Sequence, residues 1–418
     1  MIQEIDDQYF CILPWISIHI WPSGKAYPCC MMDDIRIGLY GNVNESTVHE
    51  LWNSDTAKQI RKDMMAGIPV KACSKCYDLE KNANTVTLRK EVNRKFKDRF
   101  FHKVVGTTDG YDPHPQMVYM DIRFSNLCNM KCRTCSPEFS SKWYDDFVAD
   151  NTPLDLPKYR TIIDDHSQHL WNEIISMMDN VEEVYWAGGE PLITDEHYRI
   201  LKHWIATGRS KHITMYYTTN FSRMKYKDEN IFDLWKNFKL VKLSASLDAS
   251  GERAEYIRHG TSWNNIVKNA EYLRDTENNI EFEITPTISV FNVDHFPDFH
   301  MEWIENGLVM PYAVRINPLY NPSWYSVQVL SRKHKEYITE KWIRYVQYVC
   351  SYATTEYENM YVDWKRTAQG MLNYMNDKDN IELIPKFKEE VSRWDVIRNE
   401  NWMNTFPELS YIYEFDKG

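Results

Sequence analysis

Six short runs of β-branched and aromatic residues recur along the middle of the chain, and each is followed by a stretch with the spacing of an amphipathic helix. Listed in order, the runs lie at 117–125, 181–188, 212–219, 240–248, 281–290 and 312–317. Strands separated by helix-length connections usually pair in parallel. The pattern therefore predicts an α/β domain over 117–325, with either a doubly wound sheet or an open or closed barrel.

The flanking segments have different patterns. Residues 11–30 alternate around a Pro-Ser-Gly turn and predict a β-hairpin with Cys11 and Cys29 at its ends. Helical spacing follows over 45–67 and 78–104, and the Gly- and Pro-rich segment 106–116 is typical of a linker. We thus expect a small α+β domain over 1–105, the linker at 106–116, and a helical C-terminal extension over 326–418.

Composition and charge narrow the possible functions. The 418 residues are enough for two or three domains, and 43% hydrophobic residues are typical of a folded globular chain. The net charge of -11 disfavours nucleic acid as a partner. No apolar run approaches the roughly 18 residues of a membrane span, and the N-terminus does not resemble a secretion signal. A cytoplasmic protein without membrane contact is expected.

The cysteines cluster in the first third of the chain. Eight of the nine lie within the first 135 residues, and Cys350 alone lies beyond. Clustered thiols in a reducing compartment are metal ligands more often than disulfides. Cys350 lies in an apolar helical run and is interpreted as a core thiol.

Three of these cysteines follow the first predicted strand of the α/β domain. Cys128, Cys132 and Cys135 place three thiols within eight residues, so that one loop can present them all to one metal centre with a coordination position left open. Spacing alone leaves zinc and an iron–sulfur cluster as alternatives. Residues 136–160 supply no further Cys or His, which favours the cluster.

Glycines and polar residues follow the other predicted strands. Gly188, Gly189, Glu190 and Pro191 follow the second strand, residues 218–220 close the third, and residues 246–248 close the fourth. The carboxyl ends of parallel strands meet at one edge, where ligands bind in such folds. The sequence thus predicts a ligand site at this edge.

Together, the motif C-x3-C-x2-C at Cys128, Cys132 and Cys135 and the GGEP motif at 188–191 resemble the radical S-adenosylmethionine (radical SAM) superfamily. The resemblance implies a partial (β/α)6 TIM-like barrel, a 4Fe-4S cluster, and S-adenosylmethionine chelated to its open iron. It further implies reductive cleavage to a 5'-deoxyadenosyl radical, hydrogen abstraction from a substrate, and a reductant such as flavodoxin or ferredoxin. Thr134 stands where the family usually has an aromatic residue.

The same resemblance suggests further cofactor contacts by position. They are Thr134, the GGEP residues, Asn220, Ser246, Asp248, Arg258 and Asn292, with Arg258 similar to the family arginine that pairs with the methionyl carboxylate. Polar residues at strand ends are also often helix caps, so both roles stay open. Strand alternation directs Glu283 and Arg315 inward as candidate catalytic or substrate contacts. Asp121 and Arg123 are either structural ion pairs or substrate ligands.

A second set of four thiols lies in the N-terminal segment. Cys11, Cys29, Cys73 and Cys76 suffice to saturate one metal centre, for which zinc is an alternative. The pattern C…G-x4-C…C-x2-C resembles the SPASM and twitch domains of radical SAM enzymes, which usually follow the barrel. The resemblance implies a second, auxiliary 4Fe-4S cluster. Because neighbouring strand residues face opposite sides, Cys29 is the expected ligand and Cys30 is not.

Relatives with auxiliary clusters often modify ribosomally made peptides, so the resemblance implies a peptide substrate first and a small molecule second. Two rival hypotheses stay open. One is a non-catalytic iron–sulfur or zinc protein that carries electrons or serves as a scaffold, and this rival leaves the GGEP motif unexplained. The other is an RNA-modifying radical SAM enzyme, which the acidic charge disfavours.

Overall fold

A computed structural model describes residues 8–32, 36–82, 86–163, 167–276 and 279–414. The chain forms two compact units. The first unit comprises Met1–Asn126, Tyr159–Tyr216 and Asn237–Leu240, and the second comprises Leu127–Lys158, Tyr217–Lys236 and Val241–Gly418. The domain boundaries predicted at 106–116 and 325 stay predictions.

The described strands are short. In chain order they are β1 (His19–Ile20), β2 (Lys25–Tyr27), β3 (Gly41–Asn42), β4 (Tyr119–Ile122), β5 (Lys131–Cys132), β6 (Glu183–Trp186), β7 (Thr214–Thr219), β8 (Lys225–Tyr226), β9 (Glu229–Asn230), β10 (Leu240–Ala245), β11 (Arg258–His259), β12 (Ile280–Ile284), β13 (Thr287–Ile288) and β14 (Asn317–Pro318).

Helices connect the strands and make up most of the C-terminal part. They are α1 (Leu13–Ile16), α2 (Val48–Trp52), α3 (Asp55–Met65), α4 (Ser74–Asn82), α5 (Leu88–Val105), α6 (Trp143–Ala149), α7 (Gln168–Ser176), α8 (Asp195–Ala206), α9 (Ile231–Trp235), α10 (Gly251–Ile257), α11 (Trp263–Asp275), α12 (Phe296–Glu305), α13 (Arg332–Cys350), α14 (Glu358–Asp377), α15 (Ile384–Arg398), α16 (Trp402–Thr405) and α17 (Tyr411–Glu414). Among the described residues, no helix is both long and apolar enough to cross a membrane.

The sheet of the first unit has the strand order β3-β2-β1-β4-β6, followed by the first half of β7. β4 pairs in parallel with β6, as the alternation of strands and helices predicts. On its other side, β4 pairs in parallel with β1, and His19 lies opposite Asp121. The N-terminal hairpin is therefore an edge extension of the parallel sheet.

The hairpin is shorter than the sequence pattern predicts. Residues Leu13–Ile16 form the helical turn α1, with Pro14 in its first turn, so Cys11 does not lie on a strand. The turn between β1 and β2 requires glycine at 24, because Gly24 has φ +81° and a Cβ atom there would lie 2.3 Å from Oδ1 of Asn42. The alternation of apolar residues before Ile16 thus reflects burial on all sides of α1.

The helical pattern over 45–67 is divided into α2 and α3. Ser54 caps α3 by accepting a hydrogen bond from the Ala57 amide, and the Asn53 side chain accepts one from the Asp112 amide. Ser54 therefore begins a new helix, and Asn53 between the two helices is bound to Asp112, so α2 ends at Trp52. The predicted helix over 78–104 is likewise divided between α4 and α5, and residues 83–85 of it lie outside the described residues.

The second unit contains the second half of β7, then β10 and β12, in that order. β10 and β12 run parallel with Ser244 opposite Glu283. The sixth predicted strand, at 312–317, is reduced to a single bridge between Val314 and Ile284 and to the two-residue pairing of β14 with β13. The mixed α/β fold with parallel central strands, predicted from the sequence, is confirmed.

Candidate functional site

The loop that carries Cys128, Cys132 and Cys135 belongs to the second unit. Within it, β5 pairs antiparallel with β11, which places Cys132 opposite Arg258. The Cys135 amide donates to the Cys132 carbonyl oxygen at 3.0 Å, and the indole Nε1 of Trp143 donates to the same oxygen at 3.1 Å. The backbone around the second cysteine is therefore fixed from two sides.

Two close approaches hold the first half of this loop. Gly260 has φ +103°, and a Cβ atom there would lie 2.9 Å from the Asn129 carbonyl oxygen, so this position requires glycine. The Asn220 amide nitrogen donates to Oδ1 of Asn129 at 2.9 Å. The end of β7 and the turn after β11 thus both contact the residue that follows Cys128.

A buried ion pair lies beside the cysteines. Asp248, which follows β10, binds Arg258 through Nε at 2.8 Å, and Nη1 of Arg258 lies 3.8 Å from Sγ of Cys132. Burial lowers the pKa of Arg258, but the carboxylate of Asp248 and the thiols outweigh it and raise that pKa overall. Burial raises the pKa of Cys132, against the effect of Arg258, and raises the pKa of Cys135 to about 12. A permanent cation therefore faces two thiols that need compensating positive charge to ionise.

The other predicted cofactor contacts differ in their surroundings. The Ser246 amide donates to the Thr219 carbonyl oxygen at 2.8 Å, and Thr134 is half-buried beside Cys135. The Asn292 side chain is fully buried and donates to the carbonyl oxygens of Asp248 and Thr287. Asn292 therefore holds the loop around Asp248.

Glu283 and Arg315 lie together in the second unit. Their side chains form an ion pair at 2.9 Å, and Glu283 also accepts a hydrogen bond from the Ser244 hydroxyl. Arg315 keeps 66% of its side-chain surface exposed. The pair is thus accessible and not part of a buried core.

The GGEP residues belong to the first unit and follow β6. Gly188 has φ +123°, and a Cβ atom there would lie 3.3 Å from the Ser125 carbonyl oxygen, which the Gly189 amide binds at 3.2 Å. Glu190 is buried and accepts a hydrogen bond from the Leu192 amide, while Pro191 begins a short 3-10 turn. The two glycines therefore allow the ends of β4 and β6 to approach closely.

The four N-terminal thiols line one cavity of the first unit. Its empty volume is about 310 Å³, and its lining includes Cys11, Cys29, Cys73, Cys76 and the side chain of Arg89. The four cysteines come from three places in the chain: the start of α1, the segment after β2, and the start of α4. The structure thus brings together the four residues that the sequence predicts as ligands.

Cys30 has different neighbours from Cys29. The thiol of Cys30 lies beside Asp121, and burial and the charge of that carboxylate raise the pKa of the thiol, whereas Cys29 faces Cys73 and Cys11. Asp121 in turn pairs with His19 at 3.0 Å and lies 3.7 Å from Nε of Arg123. Asp121 and Arg123 thus take part in a buried ion-pair network, which was one of the two roles predicted for them.

Electrostatics in this cavity depend on burial and on one arginine. Burial raises the pKa of all four thiols, and that of Cys73 to about 12. Arg89 counteracts the shift at Cys11, Cys73 and Cys76. Its guanidinium is held by Glu80 and donates to the Phe10 carbonyl oxygen at 2.8 Å. The sequence analysis did not single out Arg89, although it begins a strongly basic helix.

The donor sets fit iron–sulfur clusters, whose irons are held by cysteine thiolates. Four thiols around one cavity match a fully ligated cluster, and three thiols on one loop match a cluster with one open iron. In the described part of the chain, no three His, Cys, Asp or Glu side chains are placed to hold a single metal ion.

Two family models match the chain. The iron–sulfur cluster-binding domain SPASM matches residues 11–77, and the radical SAM superfamily matches residues 122–299. A radical SAM domain binds S-adenosylmethionine and a 4Fe-4S cluster, and a SPASM domain binds additional iron–sulfur clusters. A comparison with curated protein sequences gives no significant match.

Solved structures are similar to parts of the chain. SuiB of Streptococcus suis bound to S-adenosylmethionine is 16% identical over 53% of this chain and 42% of its own, with a TM-score of 0.30. Native anSMEcpe with bound AdoMet is 16% identical over 52% and 57%, with a TM-score of 0.36. SuiB bound to the precursor peptide SuiA is 16% identical over 71% and 62%, with a TM-score of 0.37. The chain thus spans about half the length of the first two.

The predicted family rests on the two domain models, which together cover more than half of the chain and lie in the order that the cysteine motifs predict. The chain carries a radical SAM superfamily domain, preceded in the sequence by a SPASM domain.

Proposed function

We propose that this chain is an enzyme that reductively cleaves S-adenosylmethionine and abstracts hydrogen from a peptide or small-molecule substrate. The observation that carries the proposal is the three-cysteine loop, whose second cysteine lies opposite Arg258 and against the Arg258–Asp248 pair. Neither an electron carrier nor a scaffold needs a site for a carboxylate-bearing cofactor beside its cluster.

Within this proposal, Cys128, Cys132 and Cys135 hold the catalytic cluster. When bound, the cluster would supply the one electron that cleaves the sulfonium of S-adenosylmethionine into methionine and the 5'-deoxyadenosyl radical, and this radical would abstract hydrogen from the substrate. In line with the resemblance, the GGEP segment of the first unit offers the edge of β6 to the methionyl amine. Gly188 keeps that edge free of a side chain. The resemblance also makes Thr134, Asn220 and Ser246 of the second unit proposed cofactor contacts.

Arg258 binds the methionyl carboxylate in this proposal. Its guanidinium stays charged because Asp248 raises its pKa, and two bonds from Asp248 fix its plane. A guanidinium held in this way presents its remaining N–H groups in a fixed direction, which suits a carboxylate. Asn292 acts through Asp248, by holding the backbone of that residue.

The auxiliary cluster is held by Cys11, Cys29, Cys73 and Cys76. With four thiolates the cluster is saturated, and the simplest role is the relay of an electron. The cavity that would hold this cluster is lined by the four cysteines, by Arg89 and by apolar side chains such as Leu13 and Leu88. A reductant such as flavodoxin or ferredoxin supplies the electron, and the cytoplasm is the compartment that provides it.

A peptide is the first substrate class to test, and a small molecule is the second. Glu283 and Arg315 form an accessible ion pair. The carboxylate of Glu283 can accept hydrogen bonds from peptide N–H groups, and the guanidinium of Arg315 can donate to peptide carbonyl or carboxylate oxygens. These two residues are the proposed catalytic or substrate contacts.

The test uses anaerobically reconstituted, reduced protein and short peptides encoded beside its gene, with S-adenosylmethionine present. We expect one such peptide to change mass and to transfer deuterium from a labelled carbon into 5'-deoxyadenosine. If a labelled small molecule transfers deuterium and no peptide does, the peptide class is wrong. If 5'-deoxyadenosine forms but contains no deuterium from either the peptides or the small molecules, hydrogen abstraction from these substrates is contradicted.

A further inference from the structure

Arg133 lies between two of the cluster cysteines in sequence, but its side chain is bound by residues more than 250 positions away. The guanidinium is fully buried, with Nη2 at 2.5 Å from both Asp395 and Glu400. It also lies over the Tyr256 ring at 4.2 Å, and its own amide donates to the Ile257 carbonyl oxygen at 2.8 Å. The position of residue 133 is therefore set by the end of α15 and the residues after it.

The residue before Cys132 is linked to the same helix end. Lys131 binds Asp146 of α6, and Asp146 also accepts a hydrogen bond from Nε of Arg398 at 2.7 Å. Arg398 and Asp146 are both buried. Lys131 and Arg133 flank Cys132, so both neighbours of this cysteine connect to the last turn of α15.

Aromatic contacts and a third ion pair complete the connection. Trp394 of α15 packs edge-on against Trp143 at 5.0 Å, and Trp143 is the residue whose indole binds the Cys132 carbonyl oxygen. Glu400 also pairs with Nδ1 of His259 at 2.6 Å, in the strand that pairs with β5.

The charges in this network balance. Three cations, Lys131, Arg133 and Arg398, face three carboxylates, Asp146, Asp395 and Glu400. A balanced buried network adds little net stability, but it specifies one arrangement, because removal of one partner leaves an uncompensated buried charge. Such a network suits a loop whose three thiols must be correctly placed before a cluster is bound.

We infer that Asp395, Arg398 and Glu400 are positioning residues, which use Arg133 and Asp146 to hold the three-cysteine loop in its cluster-binding shape. The C-terminal extension is then required for the catalytic cluster and not for the auxiliary one. The inference rests on the proposed function only in taking this loop as the cluster site.

The first test measures amide hydrogen exchange in the full-length chain before any cluster is loaded. The amides of Arg133 and Cys135 report on the loop, because the first donates to the Ile257 carbonyl oxygen and the second to that of Cys132. We expect Arg133→Met and Glu400→Gln to speed exchange at 128–135 by at least about tenfold. The matched control is Arg393→Met, which removes a cation of the same helix that pairs with Asp150 and keeps 29% exposure. We expect wild-type exchange in the loop of this control.

The second test loads the clusters and records the iron content and the electron paramagnetic resonance spectrum. Arg133→Lys keeps the charge but loses the planar guanidinium that lies over the Tyr256 ring and donates through Nη1 to the Val391 carbonyl oxygen. We expect this variant to keep the auxiliary cluster and to show an altered response of the catalytic cluster signal to added S-adenosylmethionine. The Arg393→Met spectrum should match that of wild type.

Loop exchange and spectra like those of wild type in Glu400→Gln and Arg133→Lys would overturn the inference. If Arg133→Met also exchanges fast throughout α5 and is therefore unfolded, these two milder variants decide the result. Failure of the proposed function would give a different result. Wild type would then bind its clusters without forming 5'-deoxyadenosine, but the variants would still exchange faster than wild type in the loop of the unloaded chain.

Discussion

Arg258 binds Asp248 through two nitrogens, with Nε at 2.8 Å from Oδ2 and Nη2 at 3.1 Å from Oδ1. The third nitrogen, Nη1, lies 3.8 Å from Sγ of Cys132. Asp248 also accepts a hydrogen bond from the Thr287 amide at 2.8 Å, so its carboxylate joins the end of β10 to the start of β13. One buried carboxylate thus orients a cation toward a thiol and fixes two strands.

Asp248→Asn should therefore destabilise the chain and weaken cofactor binding together. The substitution leaves Arg258 buried without a counter-charge, and we expect the free energy of unfolding to fall by about 3 kcal/mol. Urea unfolding and the affinity for S-adenosylmethionine measure the two effects. The control Asp233→Asn removes an exposed carboxylate of α9 and should change neither. A wild-type affinity in Asp248→Asn would contradict the role given to this pair.

Adjacent cysteines should behave differently in the SPASM domain. Cys29→Ala removes one of four thiols around the cavity, and we expect about half of the iron and sulfide to be lost. Cys30→Ala removes a thiol that lies beside Asp121 and does not line the cavity, and the variant should keep the full content. Iron and sulfide assays on both variants, together with a zinc assay, provide the measurement. Full iron in Cys29→Ala, or one zinc per chain, would rule out this ligand assignment.

Two buried histidines should make the fold sensitive to mild acid. Burial lowers the pKa of His197 and that of His300 to about 3, so both are neutral when folded. On unfolding below about pH 6.5 they gain protons. Their contribution is present above about pH 6.5 and is lost as pH falls toward about 3. Between about pH 7.5 and about pH 5.5, each should lower the free energy of unfolding by about 1.4 kcal/mol.

The variant His197→Phe isolates one of these contributions. Phenylalanine preserves the edge-on contact with Trp186, at 4.7 Å between ring centroids, and cannot be protonated. Urea unfolding at the two pH values should show a smaller pH dependence in the variant by about 1.4 kcal/mol. Equal pH dependence in both proteins would show that His197 is not buried in the neutral form.

Arg315→Met should affect substrate more than stability. An exposed ion pair contributes less than about 1 kcal/mol, so unfolding should change little. We expect the yield of modified peptide to fall by at least about tenfold if Arg315 contacts substrate. Lys242→Met is the matched control, because Lys242 of β10 pairs at 2.9 Å with Glu281, which lies two residues before Glu283 in β12. Equal yields from the two variants would remove Arg315 from the substrate site.

Local sequence signals predict the parallel strands and the cysteine motifs well, because both depend on short spacing. They fail at α1, where Leu13–Ile16 are buried on every side and apolar alternation does not indicate a strand. They also fail after 312, where pairing is limited to Val314 and the two residues of β14.

Short-range sequence patterns do not predict the contacts of Arg133. Its position beside Cys132 is visible in the sequence, but Asp395 and Glu400 resemble the other acidic residues of the helical C-terminal region. Only the packing of α15 against α6 brings them to the cluster loop. The role of Arg89 is likewise not predictable from the sequence. Six other Lys and Arg residues lie in α5, and nothing local distinguishes Arg89 from them.

Reduction of the reconstituted protein in the presence of S-adenosylmethionine tests the central claim most directly. The account predicts that wild type forms 5'-deoxyadenosine and that Cys128→Ala forms none while it keeps the iron of the auxiliary cluster. Wild type with intact, reduced clusters and no 5'-deoxyadenosine, or equal amounts from both proteins, would contradict the account.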